Sequence, residues 1–273
     1  MLRCYLHRII EFNRGGSSGT GNSATVDGTA RFHTTLWSVI IAAAQNDTRA
    51  GEAALAELCR LYWYPLYAFA RRRGHSPHDA QDLTQGFFLH LLRNRAFTRV
   101  DPLKGKFRSF LLASFQNYLS VEAQRARSLK RGGNCEFVFL DMETAESHYQ
   151  LDPADRLTEQ TIFDARCAVT LLGEAMTRLR EQYEAQGRTS IFETLKAFVN
   201  PSRSQEPLSY EHAANSLGVS LGAVKTLIHR LRKWCFAILR EEVARTVSDP
   251  AEIDGEIHDL CDALIAAEGR LSR

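Results

Sequence analysis

Residues 209–233 have the sequence SYEHAANSLGVSLGAVKTLIHRLRK, and their spacing is typical of two short helices joined by a tight turn. Ser209 is a good N-cap for the first helix, and Gly218 can take the left-handed conformation that ends it. Val219 should pack inward, and Ser220 should begin the second helix. This pattern predicts a helix-turn-helix, although an ordinary amphipathic hairpin is the alternative.

The second predicted helix has polar and cationic side chains on the face opposite its apolar positions. Short polar groups near its N-terminus could meet base edges, and cations could meet phosphates, as in a helix that enters a DNA major groove. The candidate DNA-binding residues of this helix are Ser220, Lys225, Thr226, His229, Arg230 and Lys233.

A second candidate surface comes from the uneven distribution of charge along the chain. The net charge is only +2, but residues 93–131 contain 10 basic residues against 2 acidic ones. Residues 132–164 reverse this balance, with 8 acidic residues against Arg156 alone. Such a basic block favours a polyanionic partner, and a solvated helix face is the alternative.

The residues needed for catalysis are not arranged in any recognisable pattern. The Gly-rich stretch near residues 15–21 has no strand before it, and no nucleophile lies beside a suitable base. His75 and His78 lack a third ligand, and the 6 cysteines contain no C-x-x-C pair. We therefore expect no enzyme activity, no metal and no cofactor.

The periodicity of apolar residues predicts helices over about 77–94, 107–129, 158–186 and 189–199. An earlier helical pattern at 53–73 contains Pro65, which should kink the helix or start a new one. Almost no segment alternates with the period of a strand, so the fold class is predicted to be all-α. No apolar run is long enough to span a membrane, and the widely spaced cysteines suit a reducing cytoplasm.

Composition divides the chain into five segments. We expect a disordered N-terminal extension at 1–33, a helical domain at 34–131, an acidic linker at 132–157, a helix-turn-helix domain at 158–247 and an acidic extension at 248–273. The extension has an apolar stripe at helical spacing. We expect it either to dock on the helix-turn-helix domain and screen its basic surface, or to be a short solubilising extension.

Residues 79–88, DAQDLTQGFF, resemble the signature D-A-E-D-L-x-Q-E-x-F of region two in sigma-70-family transcription initiation factors. The run FRSFL from Phe107, with Asn117 and Arg125, is similar to the pattern F-R-x-W-L…N…R of the same region. The helix-turn-helix resembles region four of extracytoplasmic-function (ECF) sigma factors. Gln81, Gly86 and Phe110 depart from the residues usual at their positions.

This resemblance implies a region-two bundle and a region-four helix-turn-helix joined by the acidic linker. It also implies a sigma factor that binds the β′ and β subunits of core RNA polymerase and directs transcription initiation at promoter DNA. Regulation by an anti-sigma protein or a kinase is left open, and a stand-alone helix-turn-helix regulator is the alternative. The polymerase-binding residues would be Asp79, Gln81, Asp82 and Gln85. The region-two DNA contacts would be Phe107, Arg108, Phe110, Asn117, Arg125, Arg127, Lys130 and Arg131. For the two phenylalanines a position in the core is the alternative to base stacking.

Overall fold

The computed structural model describes residues 48–93, 106–128, 157–199 and 209–267, and within these ranges the chain has helices and no strand. The prediction of an all-α fold is therefore confirmed. The helices are α1 (Thr48–Arg72), α2 (Pro77–Arg93), α3 (Phe107–Ser128), α4 (Glu159–Ala185), α5 (Thr189–Leu195), α6 (Tyr210–Leu217), α7 (Leu221–Ala244) and α8 (Ile253–Ala266). Short 3₁₀ turns occupy Lys196–Phe198 and Pro250–Glu252.

The helices α2, α3 and α4 begin and end within one residue of the predicted bounds. The predicted helix at 189–199 is α5 followed by a 3₁₀ turn. The helix α1 runs through Pro65 as one element, so no new helix starts there. The predicted N-terminal extension and linker residues 132–156 lie outside the described residues.

The described chain forms two units, each with its own core. The first unit contains residues 48–93, 106–128, 157–169 and 244–267, and the second contains 170–199 and 209–243. This division differs from the predicted boundaries, because the start of α4 and the whole of α8 group with the helices α1 to α3. Residues 248–267 of the acidic extension are thus part of the first unit and do not extend the helix-turn-helix domain.

Aromatic rings fill the core of the first unit. Phe115 on α3 lies 4.9 Å from Phe87 on α2 and 6.1 Å from Phe69 on α1, measured between ring centroids. Phe69 also meets Phe163, from the start of α4, at 6.5 Å. All four rings are buried. These tilted and edge-on contacts hold the four helical segments together and add specific geometry to the hydrophobic stabilisation.

The second unit is built around Tyr183, near the end of α4. Its ring lies 5.9 Å from Phe192 on α5 and 5.3 Å from Trp234 on α7. The guanidinium of Arg232 donates to the carbonyl oxygen of Phe198, which satisfies a backbone acceptor beyond the end of α5. These contacts fix the segment that supports the helix-turn-helix.

Candidate nucleic-acid interface

The predicted helix-turn-helix is present as α6 and α7, and local capping explains its shape. The hydroxyl of Ser209 accepts from the backbone N–H groups of Glu211 and His212 at the start of α6. Gly218 ends α6 with a φ of 64°, where a side chain would be strained. The Ser220 hydroxyl accepts from the Ala223 N–H and so caps α7.

The turn itself differs from the prediction at one position. Val219 was expected to pack inward, yet its side chain is 36% exposed. Its backbone N–H donates to the carbonyl oxygen of Ala214, so the residue serves the turn through its main chain. The left-handed Gly218 redirects the chain at this point, and the side chain that follows faces solvent.

The face of α7 that was predicted to contact DNA is solvent-exposed. Val224, Ile228 and Leu231 are buried on the opposite face and hold the helix in the second unit. The exposed side chains are those of Ser220, Lys225, Thr226, His229, Arg230 and Lys233. Three cations, one imidazole and short hydroxyls therefore share an open surface that begins at a helix N-terminus, a combination suited to a phosphate-rich ligand.

The signature on α2 begins with a capping interaction. The Ser76 hydroxyl accepts from the backbone N–H of Asp79 at 3.1 Å, and it donates to the Asp79 carboxylate at 2.7 Å. Asp79 is therefore part of the helix cap and is also exposed. Asp82, one turn further, is exposed and lies 3.2 Å from the imidazole of His78. The two carboxylates share one open face at helical spacing.

Two of the predicted polymerase-binding residues are less accessible. Gln85 is half-buried, and Gln81 is buried with 8% of its surface exposed. The positions Ala80, Thr84 and Phe87 face the core, and Gln81 lies at the edge of that face. The assignment of Gln81 to an exposed docking surface is therefore wrong for this structure.

Gly86, where the sigma signature usually has an acid, lies directly under Tyr118 of α3. A Cβ atom built on Gly86 would come 2.4 Å from the Tyr118 hydroxyl oxygen, which is closer than two such atoms can approach. The glycine thus allows α2 and α3 to pack closely through the Tyr118 side chain. Any side chain at this position would have to displace the Tyr118 hydroxyl, so glycine suits this contact between α2 and α3.

The structure separates the predicted DNA contacts of α3 into two groups. Asn117 and Arg125 are exposed, and Phe110 is half-buried; Arg125 pairs with Glu122 at 2.7 Å. Phe107 and Arg108 are buried. For Phe107 this is the core position that was the alternative to base stacking. Arg108 was predicted to contact phosphate, and the structure contradicts that prediction, because its side chain is not accessible. Arg127 lies in α3, while Lys130 and Arg131 lie outside the described residues.

The buried Arg108 is the centre of an ion-pair cluster that connects α3, α4 and α8. Its guanidinium donates to both carboxylate oxygens of Glu256, at 2.5 and 3.2 Å, and also donates to Asp164. The neighbouring Lys106 lies 3.1 Å from Glu256 and donates to Asp259. Burial alone would lower the pKa of Arg108. The hydrogen bonds that Arg108 donates to Glu256 and Asp164, together with the negative charges of these carboxylates, outweigh burial and raise that pKa.

The partners of Arg108 were missed because Glu256 is 148 positions away in the sequence. The apolar stripe of the C-terminal extension was a usable signal that the segment packs, but it did not indicate the surface. The sequence suggested docking on the helix-turn-helix domain, and the structure corrects this, since α8 pairs with Lys106 and Arg108 of the first unit.

Comparison with known proteins agrees with these elements. Residues 60–122 match the family described as sigma-70 region 2. The chain is 29% identical over 198 residues to the ECF RNA polymerase sigma factor SigE of Mycolicibacterium smegmatis, which covers 72% of this chain and 64% of that relative. The match thus spans less than two thirds of the relative's length. No solved structure matches the chain.

The residues that match sigma-70 region 2 include the second half of α1, all of α2 and most of α3. Together with the match to an ECF relative, this confirms the resemblance to the sigma-70 family and to its extracytoplasmic-function type. In the part of the chain that the structure describes, no helix combines the length and apolarity needed to cross a membrane.

Proposed function

We propose that the protein is a sigma factor that binds core RNA polymerase and directs initiation at a specific set of promoters. The observation that carries this proposal is the region 2 match over residues 60–122. The capped helix-turn-helix that follows in the same chain supports it. Because its partner would be core polymerase, we expect the protein to act in the cytoplasm.

In this proposal the exposed face of α2 binds the β′ subunit. Asp79 and Asp82 supply negative charge at helical spacing, and the half-buried Gln85 extends that face by one turn. Such a small acidic surface suits a basic partner, because charge complementarity guides encounter and fixes register. Gln81 is left out of the docking surface since it is buried.

Promoter DNA would meet two surfaces. The exposed part of α3, with Asn117, Arg125 and the half-buried Phe110, would contact the unpaired strand of the minus-ten element by stacking and phosphate contacts. The exposed face of α7 would contact the minus-thirty-five duplex.

The first test is the variant Asp82→Arg, which is expected to weaken binding to core RNA polymerase by several-fold or more. Asp82 is 62% exposed, so the substitution should leave the fold intact while it places a like charge against a basic partner surface. Affinity is measured by titrating labelled core enzyme with the full chain.

The matched control is Glu181→Arg, which makes the same charge change at an exposed position of α4. Equal losses in the two variants would show a general charge effect, and unchanged binding by Asp82→Arg would contradict the docking surface on α2.

A second test separates phosphate contacts from base contacts on α7. Lys225→Ala should weaken binding to all duplex sequences alike and lower the slope of log K against log salt by about one. His229→Ala should instead reduce discrimination at one base pair by about 1–3 kcal/mol. Both effects are measured by titrating duplexes with single base changes across a salt series.

Lys196→Ala is the control for these variants, because it removes an exposed cation from the second unit outside α7. If Lys225→Ala and His229→Ala both behave like this control, α7 does not contact DNA.

A further inference from the structure

The ion-pair cluster of the first unit contains five charged side chains: Lys106, Arg108, Asp164, Glu256 and Asp259. Two cations therefore face three carboxylates, and the cluster has a formal charge of −1 at neutral pH. Both cations belong to the basic block that the sequence suggested for a polyanion. Two of the three carboxylates come from α8.

The two cations differ in how accessible they are. The side chain of Arg108 is 6% exposed, whereas that of Lys106 is 26% exposed. Burial acts to lower the pKa of Lys106, but the hydrogen bonds that its amine donates to Asp259 and Glu256 prevail and raise the pKa, so the amine stays charged. Lys106 is thus a protonated amine close to solvent whose charge is already balanced by carboxylates.

The helix α8 need not move for its carboxylates to balance the charge of Lys106. Its apolar side chains Ile257, Leu260 and Leu264 are buried, so the helix is an integral part of the structure. Asp259 lies on its outer side and is half-exposed. It shares the Lys106 amine with Glu256, which is buried and already accepts two hydrogen bonds from Arg108.

We propose that Asp259 limits how strongly the first unit binds nucleic acid, because it is the solvent-exposed member of the two carboxylates that neutralise Lys106 in place and so suppresses binding to any phosphate backbone. A cation that already has a carboxylate partner adds little to polyanion affinity, because a phosphate must displace that partner. The first unit would then have a low affinity for DNA that makes no other contact with the protein. The inference rests on the proposed function in taking DNA as the polyanion.

The test uses the full chain and a labelled oligothymidylate, with affinity measured by fluorescence anisotropy between roughly 50 and 200 mM salt. Asp259→Asn removes the carboxylate charge opposite Lys106. Asp262→Asn is the matched control, because it removes the same charge from the next turn of α8, where the carboxylate lies near His258.

Asp259→Asn is expected to tighten binding by several-fold at low salt, because the remaining carboxylate beside Lys106, that of Glu256, is already bound by Arg108. The salt slope should become steeper by up to about 0.7, the contribution of one phosphate contact on a single strand. Asp262→Asn is expected to stay near the wild-type protein. Adding Lys106→Ala to Asp259→Asn should cancel the gain, whereas Lys106→Ala alone should change little.

Two results would overturn the proposal: equal binding by Asp259→Asn and Asp262→Asn, or a gain that persists without Lys106. The assay contains no polymerase, so its failure leaves core binding by α2 unaffected. Conversely, a gain through Lys106 in a chain that fails to bind core enzyme would support the role of Asp259 and refute the sigma-factor assignment.

Discussion

A chain ending at Val247 is expected to lose the cooperative folding of its first unit. This truncation removes α8, whose side chains Ile253, Ile257, Leu260 and Leu264 are all buried. Burying one such side chain contributes about 1.5–3 kcal/mol, so the four together contribute roughly 6–12 kcal/mol. That sum is comparable to the whole free energy of unfolding of a typical domain, which is about 5–15 kcal/mol.

Thermal unfolding followed by circular dichroism measures this effect, and limited proteolysis shows which helices are lost. A chain ending at Ala267 is the control, because it keeps all of α8. An unchanged unfolding transition in the chain that ends at Val247 would mean that α8 is only a surface addition.

Arg108→Ala is expected to lower the free energy of unfolding by about 3–5 kcal/mol, the usual cost of removing one partner from a buried ion pair. The substitution leaves Glu256, which is 2% exposed, without its two guanidinium hydrogen bonds. Arg108→Lys should cause a smaller loss, because it keeps the charge but not the two-pronged geometry.

Urea-induced unfolding gives these differences, and Arg125→Ala provides the comparison on the same helix. Arg125 is 63% exposed and pairs with Glu122, and such surface pairs contribute about 0–1 kcal/mol. Similar urea midpoints for Arg108→Ala and Arg125→Ala would contradict the structural role given to the buried cluster.

The features that could be predicted from the sequence are those with local causes. Ser76, Ser209 and Ser220 cap helices within three residues of themselves, and Gly218 ends α6 by its own backbone conformation. Such interactions depend on neighbouring residues alone, so residue type and spacing are sufficient to find them. The bounds of α2, α3 and α4 followed in the same way from apolar periodicity.

The features that could not be predicted depend on tertiary packing. Arg108 is part of a sequence pattern associated with DNA contact, but its environment is set by Glu256 and Asp164 on distant helices. Gln81 lies at the border of the buried face of α2, where a small rotation of the helix decides its exposure. Periodicity identifies a face, but only the packing partners determine where that face ends.

Run-off transcription with purified core RNA polymerase and a library of promoter fragments tests whether the chain is a sigma factor. If it is, adding the full chain yields transcripts from a subset of fragments that share minus-ten and minus-thirty-five elements, and core enzyme alone does not produce them. Binding of the chain to promoter duplexes without core association, and without any transcript that depends on the chain, would contradict the sigma-factor proposal and would indicate a stand-alone helix-turn-helix regulator.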